Sequence, residues 1–111
     1  MRVYIAGPYR GEDAFAVRRN IEQAREALVK LIRSGHAPFC PHTHTAHLEH
    51  YAPDLPDERY LAIDLEYLAV CAAIVMLPGW RDSAGACEER RLAEEWGLQV
   101  YESVEEVPPA Q

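Results

Sequence analysis

The run AAIVMLP, Ala72 to Pro78, has no polar side chain at either of its two alternating sets of positions. A strand of that kind must be covered on both faces, which is the condition of a central strand in a parallel sheet. The flanking sequence supplies the covers. RVYIA, Arg2 to Ala6, reads as a first strand closed by Gly7-Pro8, because proline cannot donate to a ladder. From Ala14, the residues Val17, Ile21, Ala24, Leu28 and Leu31 recur at steps of three and four, giving a long helix with Gly35 as its stop. APFC, Ala37 to Cys40, is compatible with a buried second strand. Leu61, Leu65 and Leu68 mark a helix that begins at Asp57, and Ala84 to Trp96 forms another, stopped by Gly97. QVY, Gln99 to Tyr101, is a short last strand, and the tail holds at most one helical turn before Pro108-Pro109.

Strands that alternate with helices imply right-handed crossovers and an α/β sandwich around a parallel sheet of four to five strands. Ligands of such sheets sit beyond the carboxyl ends of the strands, where strand order switches. The segments GPYRGED, PHTHTAH and GWRDSAG all follow strands, so they are expected to meet at one mouth. The connection from the histidines through YAPDLPDERY is long, and long connections in compact domains are usually functional or disordered.

At 111 residues the expectation is one domain spanning 1–111, too small for a histidine-lined (β/α)8 metal barrel. A chain that is 49% hydrophobic and 26% charged, without a long apolar run or a signal-peptide pattern at MRVYIAGPYRG, is expected in the cytoplasm and off the membrane. The formal net charge of -7, with no Lys/Arg cluster, argues against a nucleic-acid polymer as partner. Cys40, Cys71 and Cys87 are odd in number and lack a CxxC pair, so reduced, packed thiols are expected.

The stretch FCPHTHTAHLEH holds four of the chain's five histidines and raises the question of zinc. His44, His47 and His50 fall at three-residue steps that would converge on one helical face. A second oddity lies in AGACEERRLAEEWG. Ala86, Ala93 and Trp96 define its apolar stripe, and Glu89 lies on that stripe while Glu88, Glu94 and Glu95 do not. An inward carboxylate is costly unless paired or used; the plainer alternative is a helix-edge residue whose stem packs while its head reaches water. Its place in the first turns of a helix at the expected mouth favours the ionised form. Asp64, in IDLEYL, has Tyr60, Tyr67 and Cys71 as helical neighbours, surroundings that raise a carboxyl pKa unless the residue is simply exposed. Two carboxyls in contrasting environments suit a glycosidic nucleophile and proton donor.

Taken in order, VYIAGPYRG, CPH, IDLEYL and SAGACEERRLAEEWG resemble the signature segments of the nucleoside 2-deoxyribosyltransferase superfamily, over roughly Arg2 to Val100. The likeness is strongest to its small members, among them the 2′-deoxynucleoside 5′-phosphate N-hydrolases. The spacing of Ser83, Gly85, Glu89 and Ala93 is the most specific part. The resemblance implies a flavodoxin/Rossmann-like three-layer sandwich and an N-glycosidase or deoxyribosyltransferase. Glu89 would be the covalent nucleophile and Asp64 the aid to proton transfer. Tyr4 or Tyr9 would lie near the nucleophile; Arg10 and Ser83 would hold a 5′-phosphate; Gly7, His42 and Gly85 would line the ligand.

The resemblance also implies no metal or other cofactor, a small nucleoside or nucleotide as partner, and a homodimer or higher oligomer. Trp80 either stacks on a base or anchors its loop. Ser83 is equally a helix N-cap, and Arg10 equally a surface arginine in a turn. The tail EVPPAQ and Ser103 give no clear match to the residues that relatives lend a neighbouring subunit. Two other readings of the chain are a nucleotide sensor without turnover and a histidine-based metal-binding protein.

Overall fold

The computed structural model describes residues 1–111, whose centre is one parallel sheet of β1 (Arg2–Ala6), β2 (Ala37–Phe39), β3 (Ala73–Met76) and β4 (Gln99–Tyr101). The strand order is β2-β1-β3-β4, with Tyr4 opposite both Phe39 and Ile74. Order reverses between β1 and β3, the switch point at which α/β sheets open a crevice. The helices are α1 (Ala14–Arg33), α2 (Pro41–His44), α3 (Asp57–Leu68) and α4 (Ala84–Glu95). Three single turns, Leu48–His50, Trp80–Asp82 and Val104–Glu106, complete the chain. No helix is long and apolar enough to cross a membrane.

Side chains alternate across the sheet and split the interior into two cores. Val3, Ile5, Ala73 and Val75 pack with Ala24, Ala27 and Leu31 of α1, and Val107 of the tail closes that side. Tyr4, Ala6, Ile74 and Met76 pack with Leu68 of α3 and with Ala86 and Ala93 of α4. Both faces of AAIVMLP are therefore covered. The helices begin and end where local chemistry directs: Asp13 accepts from the Ala16 amide at 2.8 Å to cap α1, and Gly35 follows its end at φ +88°.

Two expectations need correction. β2 is a half-exposed edge strand rather than a buried one, because β1 uses its other side to pair with β3; this is also where Pro38 is tolerated. Trp96 is not on the buried stripe of α4. It is the C-cap residue of that helix and is 44% exposed. His42, as expected of a residue following β2, lies in the first turn of α2. The three cysteines are free thiols, Cys40 buried and the others half-buried.

Candidate active site

A cleft of about 380 Å³ opens at the carboxyl ends of β1, β2 and β3, large enough for a nucleoside-sized ligand. Its walls are the loop after β1 (Gly7, Pro8, Tyr9, Arg10), the α2 segment (Pro41, His42, Thr45, Glu49), one face of α3, and the start of α4 with Glu89. The three segments after strands thus share one mouth. Gly7 is required there: a Cβ at that position would stand 2.7 Å from the Cβ of Leu77, inside contact distance.

Glu89 is 6% exposed, and no arginine, lysine or histidine pairs with it. Its neighbours on α4 differ. Arg91 holds Glu88 and Glu95 at 2.5 and 3.1 Å, and Arg90 holds Glu94 at 2.9 Å, all on the solvated face. The partner of Glu89 is Tyr4, fully buried in β1, whose hydroxyl donates a short hydrogen bond to Oε2. Of the two tyrosines the resemblance left open, Tyr4 is therefore the one at the carboxylate. Burial pushes the Glu89 carboxyl up to about 8; the Tyr4 hydrogen bond opposes that shift and the charge of Asp64 adds to it. Burial, rather than the helix end, dominates the Glu89 carboxyl. Glu89 is the sixth residue of α4, and the influence of a helix terminus fades within one turn.

Asp64 faces the same cleft from α3, and burial raises it to about 7. One of its carboxylate oxygens is buried without a hydrogen-bond partner, as is the hydroxyl of Tyr60 one helical turn earlier. His42 contributes a third such atom. Its Nε2 lies 2.8 Å from the Pro8 carbonyl, which can only accept, so Nε2 carries the hydrogen and the unpartnered Nδ1 is an acceptor. Burial lowers the His42 pKa, which keeps the ring neutral. Three orphaned polar atoms around one cleft are the signature of groups that a ligand completes.

The remaining predicted residues divide. Arg10, Ser83 and Gly85 line the cleft, but Arg10 is engaged by Asp57 at 2.7 Å and the Ser83 hydroxyl accepts from the Ala86 amide at 3.2 Å as the N-cap of α4. Tyr9 donates to Glu49 at 2.9 Å and lines the opposite wall. Trp80 is not in the lining; the guanidinium carbons of Arg81 and Arg90 each lie 4.6 Å from its ring centroid, and it packs against the core as a loop anchor. Tyr60, Glu49, Asp57 and Asp82 line the cleft without having been singled out from the sequence. Only Tyr60 carried a readable signal, its place one turn from Asp64. His44 is turned away from the other histidines, edge-on to Phe39 and Tyr67.

A family profile described as "Domain of unknown function (DUF4406)" matches residues 1–102. None of the curated protein sequences matches the chain. Among solved structures, a 2-deoxyribosyltransferase from the psychrotolerant bacterium Bacillus psychrosaccharolyticus, described as a biocatalyst for nucleoside synthesis, superposes with a TM-score of 0.62. The two are 19% identical, over 90% of this chain and 69% of that one. The chain therefore has the Rossmann-like fold of a 2-deoxyribosyltransferase, in agreement with its four-stranded parallel sheet.

Proposed function

The chain belongs to the DUF4406 family, and from that premise we propose that it cleaves or transfers at the N-glycosidic bond of a nucleoside. The observation that carries this reading is Glu89: a buried carboxyl with no cation, held by one tyrosine and opening on a nucleoside-sized cleft that also contains Asp64. The fold shared with a 2-deoxyribosyltransferase supports the same chemistry.

In the proposed reaction an oxygen of Glu89 bonds to C1′ as the glycosidic bond breaks, and the bond's electron pair leaves on the base nitrogen. Asp64 supplies a proton to the departing base. Water or a second base then takes the sugar from Glu89 with net retention, for which the two carboxyls should stand about 5 to 5.5 Å apart. One acid must be ionised and the other protonated. The two titrate as a pair, since loss of one proton makes loss of the second harder. The Tyr4 hydrogen bond favours an anion on Glu89, and the reaction requires bound substrate to place the pair's single charge there, since without ligand Asp64 is the less raised of the two. Activity should peak between the two titrations, in the neutral to mildly alkaline range.

The charge of the cleft favours an uncharged nucleoside over its 5′-monophosphate. Glu49, Asp57 and Asp82 line it beside the Asp64–Glu89 pair, which carries a single charge in the reactive state, against one arginine that Asp57 already engages. A monophosphate is the second reading, favoured by Ser83 and Gly85 at the start of α4, where backbone N-H groups suit an anion. The homodimer implied by the resemblance belongs to the same reading, and sedimentation equilibrium measures it directly.

The test is a panel of nucleosides and 5′-monophosphates incubated with the protein, with and without a free acceptor base. Free base alone identifies a hydrolase, and exchanged base a transferase. Glu89→Ala should lose activity by at least about a thousand-fold and Asp64→Asn by about a hundred-fold or more, the range of single catalytic groups. Turnover at the parental rate in Glu89→Ala would remove it from the mechanism. Ligand binding that persists in Glu89→Gln, with no base released by the parent, would instead make the protein a nucleoside sensor.

A further inference from the structure

The histidine-rich segment carries a second group of ligating side chains, at the rim of the cleft and apart from the carboxyl pair. His36 is occupied by the chain's own amino terminus at 3.2 Å and the Pro108 carbonyl at 2.7 Å, His42 by Pro8, and His44 by aromatic packing. His47 and His50 are left. Their rings lie 5.9 Å apart and nearly parallel, and with Glu49 they bring three ligand atoms to within 4.8 Å of one another.

Two features of the backbone and its neighbours hold this group together. His47 is the one non-glycine residue of the chain in the left-handed region, at φ 64°, a conformation that costs an L-residue on the order of 1 kcal/mol or more. That conformation starts the turn Leu48–His50, and the same residue's amide donates to the Tyr9 hydroxyl at 2.8 Å. Tyr9 in turn donates to Glu49, at 2.9 Å from one oxygen and 3.2 Å from the other. The carboxylate is thereby oriented from behind by a tyrosine anchored in the loop after β1, as the outer partners of metal ligands do.

We propose that His47, Glu49 and His50 form a binding site for a divalent transition-metal ion of the zinc class. Two imidazole nitrogens and one carboxylate oxygen suit Zn²⁺, Co²⁺ or Ni²⁺ and not the oxygen-seeking Mg²⁺ or Ca²⁺. Bonds of about 2.0 to 2.2 Å require the three atoms to draw closer together. Both histidines are exposed, so no core packing opposes that adjustment. Three protein ligands leave a coordination position open, and Glu49 also lines the cleft, so a bound ion would stand at its entrance. This site is independent of the glycosidic reading.

Isothermal titration of tag-free, chelator-stripped protein with Zn²⁺ should give one site per chain, with Co²⁺ giving visible absorption bands of nitrogen and oxygen ligation. His47→Gly, which keeps the left-handed backbone, and His50→Gln should each weaken Zn²⁺ binding at least about ten-fold. Tyr9→Phe should weaken it by a similar factor through the loosened carboxylate. His44→Gln should leave it unchanged, and Ca²⁺ should not compete. Thermal melts of the metal-free variants confirm that they fold. The proposal is overturned if the parent shows no stoichiometric Zn²⁺ site, if His47→Gly and His50→Gln bind like the parent, or if His44→Gln loses binding as they do.

Discussion

Glu89 and Tyr60 are both polar groups without a place in an apolar interior, yet the structure treats them differently. Glu89 has one hydrogen bond and no counter-charge; Tyr60 has a buried hydroxyl with no partner at all. Burying a hydroxyl unsatisfied costs about 1 to 3 kcal/mol, so it persists where something else completes it. Tyr60→Phe is therefore expected to leave the ligand-free protein at least as stable in urea denaturation. The same variant should bind its nucleoside roughly ten-fold more weakly by calorimetry, since a ligand group loses its partner. The periodic pattern of α3 pointed to Asp64 and named Tyr60 as its neighbour, but burial of the hydroxyl depends on how α3 leans on α4. That is why one residue was readable and the other was not.

α4 is the element in which a structural role and a ligand role coincide. Its N-cap is Ser83, whose hydroxyl accepts the Ala86 amide at 3.2 Å while the residue also lines the cleft. Ser83→Ala should cost about 1 kcal/mol of stability, the usual value of a lost cap. If the cap is its main work, kcat/KM for a nucleoside and for its monophosphate should change together, within about two-fold of each other. A much larger loss for the monophosphate would restore the phosphate reading. The boundaries of α1 and α4 follow from caps, glycine stops and apolar spacing, all set within a few residues, whereas α3 starts after Pro56 with neither a side-chain cap nor a glycine stop. The exposure of Trp96 and the edge position of β2 follow from neighbours far along the chain, which no local pattern contains.

The whole molecule holds its buried acid at a cost that depends on pH. Glu89 is protonated in both folded and unfolded chains below its ordinary value of 4.5. Between 4.5 and about 8 only the folded chain keeps the proton, so stability declines as pH rises through that window, and above it the decline is complete. The contribution is on the order of 5 kcal/mol. Urea denaturation at pH 5 and pH 8.5 should show the parent losing more stability than Glu89→Gln, which has no such proton; equal losses would mean that Glu89 keeps its charge in the fold.

Periodicity, caps and turn residues were enough for the four strands and the three long helices, because each is dictated by residues within one or two turns of each other, and their alternation for the parallel sheet; the short helix Pro41–His44 carried no such signal. Tertiary packing alone joined Tyr4 to Glu89 across 85 positions, buried the Tyr60 hydroxyl without a partner, and grouped Glu49 with His47 and His50 in place of His44. It also crowded five carboxyls around one arginine. Hydrogen bonding, desolvation and charge act over a few ångströms of space, and the strand order sets which distant residues come within that distance.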